Sequence, residues 1–196
     1  MNADRPAHLN DYNAAAFQLR DVVDAYHLRT PYPESLPPFL LSLAVPAGGR
    51  VLELGCGTGE IARMLAPDSE RVDAVDVSAP MLERASGMPG GDHAAIRWLQ
   101  GRAEDVELDP PYALAVAGDS LHWMDWETVL PRIAAALAPD AVLAIVSAVP
   151  VSQLWSPALR DLFARYSVIH NFVESDLIDE LRGRGLFEPI GETAGA

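Results

Sequence analysis

The chain has 196 residues, 49% of them hydrophobic, and its 28 acidic side chains outnumber 14 cationic ones, all arginine, for a formal charge of −14. That length suits one domain with one sizeable core, and the acidic balance argues against a nucleic-acid substrate, which demands basic patches. No apolar run approaches the roughly 20 residues that span a bilayer, the polar start at residues 1–6 lacks the apolar segment of a signal peptide, and the single cysteine, Cys56, can neither close an internal disulfide nor build a zinc site. A cytoplasmic protein with no membrane contact is expected.

In chain order, the first 47 residues carry three tyrosines, Tyr12, Tyr26 and Tyr32, and a proline-rich stretch at 31–38 that reads as a loop, as does 87–91. An apolar strand follows at 51–54, holding one acid, Glu53; it breaks into Gly55, Gly57 and Gly59 and resumes as a helix over 60–65. A turn of this kind has no Cβ where a ligand approaches the backbone. Dinucleotide turns place their third glycine one position later, where this chain has Glu60. A carboxylate there suits the helix dipole but repels a pyrophosphate. With no lysine, a P-loop is excluded. The expected ligand therefore lacks phosphates at this turn.

A second strand at 72–77 carries Asp76 near its carboxyl end, and a carboxylate offers the paired acceptors that two neighbouring hydroxyls need. Helices over 80–85 and 126–137 and strands at 96–100, 112–117 and 141–147 complete an alternating pattern. Such alternation predicts an α/β fold: a doubly wound, Rossmann-like, mostly parallel sheet with helices on both faces. Ligands lie beyond the carboxyl ends of such strands, so Asp76, residues 102–105 and residues 118–122 are expected on one rim. Past 147, helices are predicted over 154–166 and 174–181, and the start of a sixth strand at 186–190.

Two motifs carry a resemblance. Glu53-Leu-Gly-Cys-Gly-Thr-Gly59 and Asp76-Val-Ser-Ala-Pro-Met81 resemble the first and second motifs of class I S-adenosylmethionine-dependent methyltransferases. The resemblance implies that Glu53, Gly55, Cys56, Gly57 and Gly59 lie along the cofactor's methionine part. It places the ribose hydroxyls on Asp76, with Val77 and Met81 beside it. Gly101-Arg-Ala-Glu-Asp105 occupies the position of the third motif, which contacts adenine, so Ala103 and Glu104 join the set, with Gly118 beyond the fourth strand. Arg102 stands where many members have an aspartate; Glu104, a backbone carbonyl or stacking by Arg102 would replace it. His122-Trp123 and Tyr26-His-Leu-Arg29-Thr-Pro-Tyr32-Pro33 resemble elements of a small-molecule subgroup that includes the trans-aconitate type. There the N-terminal segment caps the cofactor, so residues 10–47 form a helical cap. Arg29 would meet the cofactor's carboxylate, and Tyr12, Tyr26 or Tyr32 would line the closed pocket.

The resulting expectation is one domain over 1–196: the cap, a cofactor-binding core at 50–148, and a substrate-side region at 149–196 that lacks the family's further antiparallel strand. A missing strand exposes a sheet edge for self-association. Function reads as methyl transfer from S-adenosylmethionine, leaving S-adenosylhomocysteine, to oxygen, carboxylate or nitrogen of a small molecule by in-line displacement. The alternatives are a cofactor-binding module without turnover, and a nicotinamide oxidoreductase, which Glu60 disfavours. His122 is the candidate general base, against a purely orienting role in which Trp123 packs into the core. Cys56 reads as a small turn residue. His8, His27, His93 and His170 show no metal spacing, and no metal is expected.

Overall fold

The computed structural model describes residues 15–148, 157–166 and 177–194. Tyr12, His8 and His170 lie outside them, as do residues 10–14 of the cap and 149–156 of the C-terminal region. Five strands form one sheet: β1 (Val51–Leu54), β2 (Val72–Asp76), β3 (Ile96–Gln100), β4 (Tyr112–Gly118) and β5 (Leu137–Val146). Their order is β3-β2-β1-β4-β5 and every pair is parallel. The central strands β1 and β2 are buried along their whole length, and β4 up to Gly118, while β3 and β5 are only half-buried, as edges must be. This explains the near-continuous apolar runs, because a strand covered on both faces has no solvent side to alternate toward.

Helices cover both faces. On one side Leu52, Leu54, Val75, Ala115 and Ala117 pack against Val129, Leu130 and Ile133 of the long helix Trp126–Ala136. On the other, Val51, Val72, Ala74 and Val116 pack against Leu40, Ile61, Leu65 and Leu82. In chain order the helices are α1 (Arg20–Ala25), α2 (Leu36–Leu43), α3 (Glu60–Leu65), α4 (Ala79–Ser86), α5 (Trp126–Ala136), α6 (Pro157–Tyr166) and α7 (Leu177–Arg184). Among the described residues no helix is long and apolar enough to cross a membrane.

The chain starts at the centre of the sheet, winds outward through β2 and β3, and returns to lay β4 on the other side of β1. The strand order reverses between β1 and β4, and a crevice opens there at the carboxyl ends.

Three expectations need correction. The stretch 31–38 is not loop throughout: α2 begins at Leu36 and takes Pro37 and Pro38 into its first turn, where a missing N–H costs nothing because that donor is unpaired anyway. Strand β5 starts at Leu137, earlier than 141, with Leu137 paired to Tyr112 across a register shift. Residues 186–190 form no strand. Pro189 has no N–H to give a ladder, and Leu186 and Ile190 stay exposed while Leu181 of α7 is buried against the sheet's helix-covered face. Among the described residues, β5 therefore has β4 as its one strand neighbour. The helices expected at 154–166 and 174–181 are found from Pro157 and Leu177 onward, their first residues lying outside the described ones.

Candidate functional site

The turn after β1 bends back through three glycines with left-handed φ: Gly55 at 65°, Gly57 at 55° and Gly59 at 69°. At Gly55 an added Cβ would come within 2.5 Å of the Ser120 Cβ, so the turn touches the segment after β4 directly. At Gly59 an added Cβ would enter the ring of Trp98, which is fixed by its indole N–H donating to the Gly91 carbonyl at 3.0 Å. Gly59 is thus demanded by Trp98 of β3 and by its own backbone. We expect Gly59→Ala to destabilise the fold by about 3 kcal/mol, the sum of a left-handed non-glycine residue and an overpacked ring. Urea unfolding measures it, and a change under 1 kcal/mol would contradict the packing described.

Asp76 closes β2 and holds the turn. Its Oδ2 accepts the Gly57 N–H at 2.7 Å and its Oδ1 the Ser78 N–H at 2.8 Å. Burial raises the Asp76 carboxyl above its usual value, and the two amide donors work against that. Each oxygen accepts one amide, so the carboxylate keeps the acceptor capacity for two further hydroxyls. Ser78, buried, caps α4 by accepting the Met81 N–H. Its hydroxyl also donates to the Phe17 carbonyl at 2.7 Å, fastening the N-terminal segment over the site.

The cap has further tethers. Glu60 Oε1 accepts the Tyr32 N–H at 2.9 Å, which gives this carboxylate a partner that the sequence did not reveal. Arg29 pairs with Asp119 at 2.9 Å, donates to the Tyr26 hydroxyl at 2.8 Å, and lies over the Tyr26 ring. Asp119 stands beyond β4 with φ 48°, and its carboxylate also accepts the Ala148 N–H. Left-handed φ at a non-glycine residue is uncommon outside Asn and Asp and marks positions worth attention.

These elements enclose a cavity of about 360 Å³, within the range of small-molecule sites. Its walls include Gly55, Gly57, Asp76, Val77, Met81, Ala103, Glu104, Gly118 and Arg29, all singled out from sequence. They also include Phe17, Gln18 and Met124, which sequence reading missed, and Tyr26, Arg102, Asp119, Ser120 and Trp123. Glu53, Cys56, Gly59, Tyr32 and His122 stand outside the lining. His122 shares a 3-10 turn with Trp123, ring centroids 5.0 Å apart. The Tyr32 hydroxyl packs beside Gly118, leaving no room there for a Cβ. Burial pushes the Cys56 thiol well above its usual value, in keeping with a turn residue. Glu104 accepts the Asp125 N–H at 2.8 Å and pairs with Arg102 at 3.4 Å. Among the described residues no three His, Cys, Asp or Glu side chains could hold a metal ion.

Glu53 lies behind the glycine turn, 3% exposed, with Oε2 unpartnered. Burial pushes its carboxyl up to about 8, only partly offset by the Ala62 amide. The folded chain keeps this proton at neutral pH, whereas the unfolded chain releases it above pH 4.5. Stability from Glu53 is therefore full below pH 4.5 and lost as pH rises toward 8, with a slope of at most about 1.4 kcal/mol per pH unit for one proton. Glu53→Gln should flatten the fall in urea midpoint between pH 5 and 8 relative to the parent; parallel curves would place the charge elsewhere.

Residues 51–140 match a family model described as a methyltransferase domain. An uncharacterised methyltransferase of Mycobacterium tuberculosis is 36% identical over 125 residues, 62% of this chain and 59% of that protein. Trans-aconitate 2-methyltransferase of Paracidovorax citrulli is 36% identical over 115 residues, 54% of this chain and 41% of that enzyme. The chain thus spans about half the length of the curated relatives it matches. A solved structure from Anaeromyxobacter dehalogenans, provisionally assigned as a type II methyltransferase, superposes with TM-score 0.58 at 26% identity, covering 86% of this chain and 70% of that one. The DhpI–SAH complex follows at TM-score 0.50 and 27% identity, covering 73% of each chain. Motif, fold and relatives agree: over residues 51–140 the chain is similar to methyltransferase domains.

Proposed function

We propose that this chain transfers a methyl group from S-adenosylmethionine to a small-molecule acceptor, on oxygen, carboxylate or nitrogen. The observation that carries the proposal is Asp76, at the carboxyl end of β2 beside the crevice, held by two backbone amides and lining the cavity. When bound, the cofactor would supply a methyl group on a sulfonium; the acceptor's lone pair would form the new bond to carbon, the carbon–sulfur pair would stay on sulfur, and an O–H or N–H acceptor would release its proton to solvent.

The chain's own part is to hold and orient. Asp76 accepts the ribose hydroxyls, Gly55 and Gly57 lie along the methionine part, and the 101–104 loop faces the base. Alignment of this kind accounts for much of the acceleration in displacement reactions, with effective molarities reaching about 10⁵ M or more. The cap, fastened through Phe17, Arg29 and Tyr32, keeps water out. His122, outside the cavity lining, is given no proton transfer in this proposal. A binding module without turnover is the second reading, in keeping with His122 standing outside the cavity lining.

Calorimetric titration with S-adenosylmethionine and S-adenosylhomocysteine, run beside NAD, tests the proposal. Micromolar binding of the first two and none of NAD is expected; binding of NAD alone would overturn it. Cofactor turnover on an acceptor panel then separates the enzyme from the binding module.

A further inference from the structure

Three aromatic rings meet on one wall of the cavity although they come from distant parts of the chain. Phe17 stands edge-on to both others, 6.3 Å and 79° from Tyr26 and 5.8 Å and 74° from Trp123. All three are half-buried and line the cavity. Asp76, the loop at 101–104 and the glycine turn are taken by the cofactor in the reading above, on which this inference rests. The aromatic wall is what remains for the acceptor.

The charges on the cavity wall point the same way. Arg29 faces Asp119 at 2.9 Å and Arg102 faces Glu104 at 3.4 Å. Both arginines that line the cavity are thus paired to carboxylates that also line it, and Asp76 adds a third acid. If Arg29 turns instead to the cofactor's carboxylate, it is equally spent. A polycarboxylate needs arginine forks for each charged group, and burying carboxylates without them beside a wall of net negative charge is costly. Aromatic faces, by contrast, favour planar rings in offset or edge-on contact.

We propose that the acceptor subsite takes an uncharged molecule with a planar aromatic ring, packed against Phe17, Tyr26 and Trp123, and not a polycarboxylate such as trans-aconitate. The acceptor named for one relative and the cavity wall of this chain therefore carry charge of the same sign.

The test is equilibrium binding to the full chain saturated with S-adenosylhomocysteine, with 2-naphthol and trans-aconitate as probes at equal ionic strength. We expect the Kd of 2-naphthol to be at least tenfold below that of trans-aconitate. Trp123→Leu should raise the 2-naphthol Kd at least tenfold, while circular dichroism and S-adenosylhomocysteine affinity, within threefold of the parent, report an intact fold. Asp119→Asn, in a side chain type that tolerates left-handed φ, removes the carboxylate facing Arg29; trans-aconitate binding should improve and 2-naphthol binding stay level. Equal or tighter binding of trans-aconitate by the parent, binding of neither probe, or no response to Trp123→Leu or Asp119→Asn each overturns the acceptor class while leaving the cofactor reading standing. Failure of S-adenosylhomocysteine itself to bind overturns the proposed function and this inference with it.

Discussion

Replacing Asp76 with alanine should weaken S-adenosylhomocysteine binding by a factor of about 10² to 10⁴. Hydrogen bonds to a charged group contribute about 1.5–3 kcal/mol each, two ribose hydroxyls are at stake, and each 1.4 kcal/mol is tenfold. The loss also acts on the protein itself. In the parent, the Asp76 carboxylate pins the Gly57 and Ser78 amides at 2.7 and 2.8 Å, and alanine leaves both donors without that partner. An analogue lacking the 2′-hydroxyl separates the two effects. The parent should discriminate between the complete compound and the deoxy analogue, and Asp76→Ala should bind both equally poorly. If Asp76→Ala binds S-adenosylhomocysteine within threefold of the parent, the carboxylate does not hold the ribose and the proposed orientation fails. Asp76→Asn is expected to fall nearly as far, because an amide cannot accept at both ends.

What made this part of the site legible in the sequence is that its backbone geometry dictates residue type. Left-handed φ at Gly55, Gly57 and Gly59 selects glycine, and the carboxyl end of a buried strand is where an acid such as Asp76 has work to do. Convergence of three segments on one rim followed from the parallel alternation, since every strand end points the same way. The individual reasons were less visible. Gly59 makes room for Trp98 from β3, a contact no local pattern announces. Glu60 was read through the helix dipole, yet its partner is the Tyr32 amide, 28 positions earlier. Phe17 and Gln18 escaped altogether. Their segment is a single 3-10 turn without period, placed over the site by the Ser78 hydroxyl and by the Gln18 amide donating to the Val77 carbonyl. The sixth strand failed for the opposite reason: a short apolar run satisfied the pattern, but Pro189 had already removed a ladder donor.

At the far end of the same strand, Asp73→Asn should cost about 3 kcal/mol of folding stability at pH 7 and leave cofactor affinity unchanged. Asp73 is fully buried. Its oxygens receive Arg71 at 2.8 and 3.2 Å, Arg97 at 2.9 and 2.7 Å, and the Tyr112 hydroxyl at 2.6 Å. Tyr112, itself buried, enters from β4 across the start of β1, so the carboxylate knits three strands at the amino-terminal edge of the sheet. Removing one member of a buried ion pair typically costs about 3–5 kcal/mol. The lower end applies because Arg71 and Arg97 are partly exposed and can turn to water. Burial alone would raise the Asp73 carboxyl, but hydrogen bonds from Arg97, Tyr112 and Arg71 together outweigh it and hold it below its ordinary value. A carboxylate with a depressed value contributes stability in full above its unfolded value near 3.8, and loses it as pH falls through the folded one. Urea midpoints of the parent should therefore drop more steeply below pH 4 than those of Asp73→Asn, and the two curves should converge in acid. Three residues of strand, about 10 Å, separate Asp73 from Asp76. S-adenosylhomocysteine affinity at pH 7 should accordingly stay within threefold of the parent; a larger loss would mean that the network at the amino-terminal edge sets the position of Asp76, and that stability and binding in this strand are not independent.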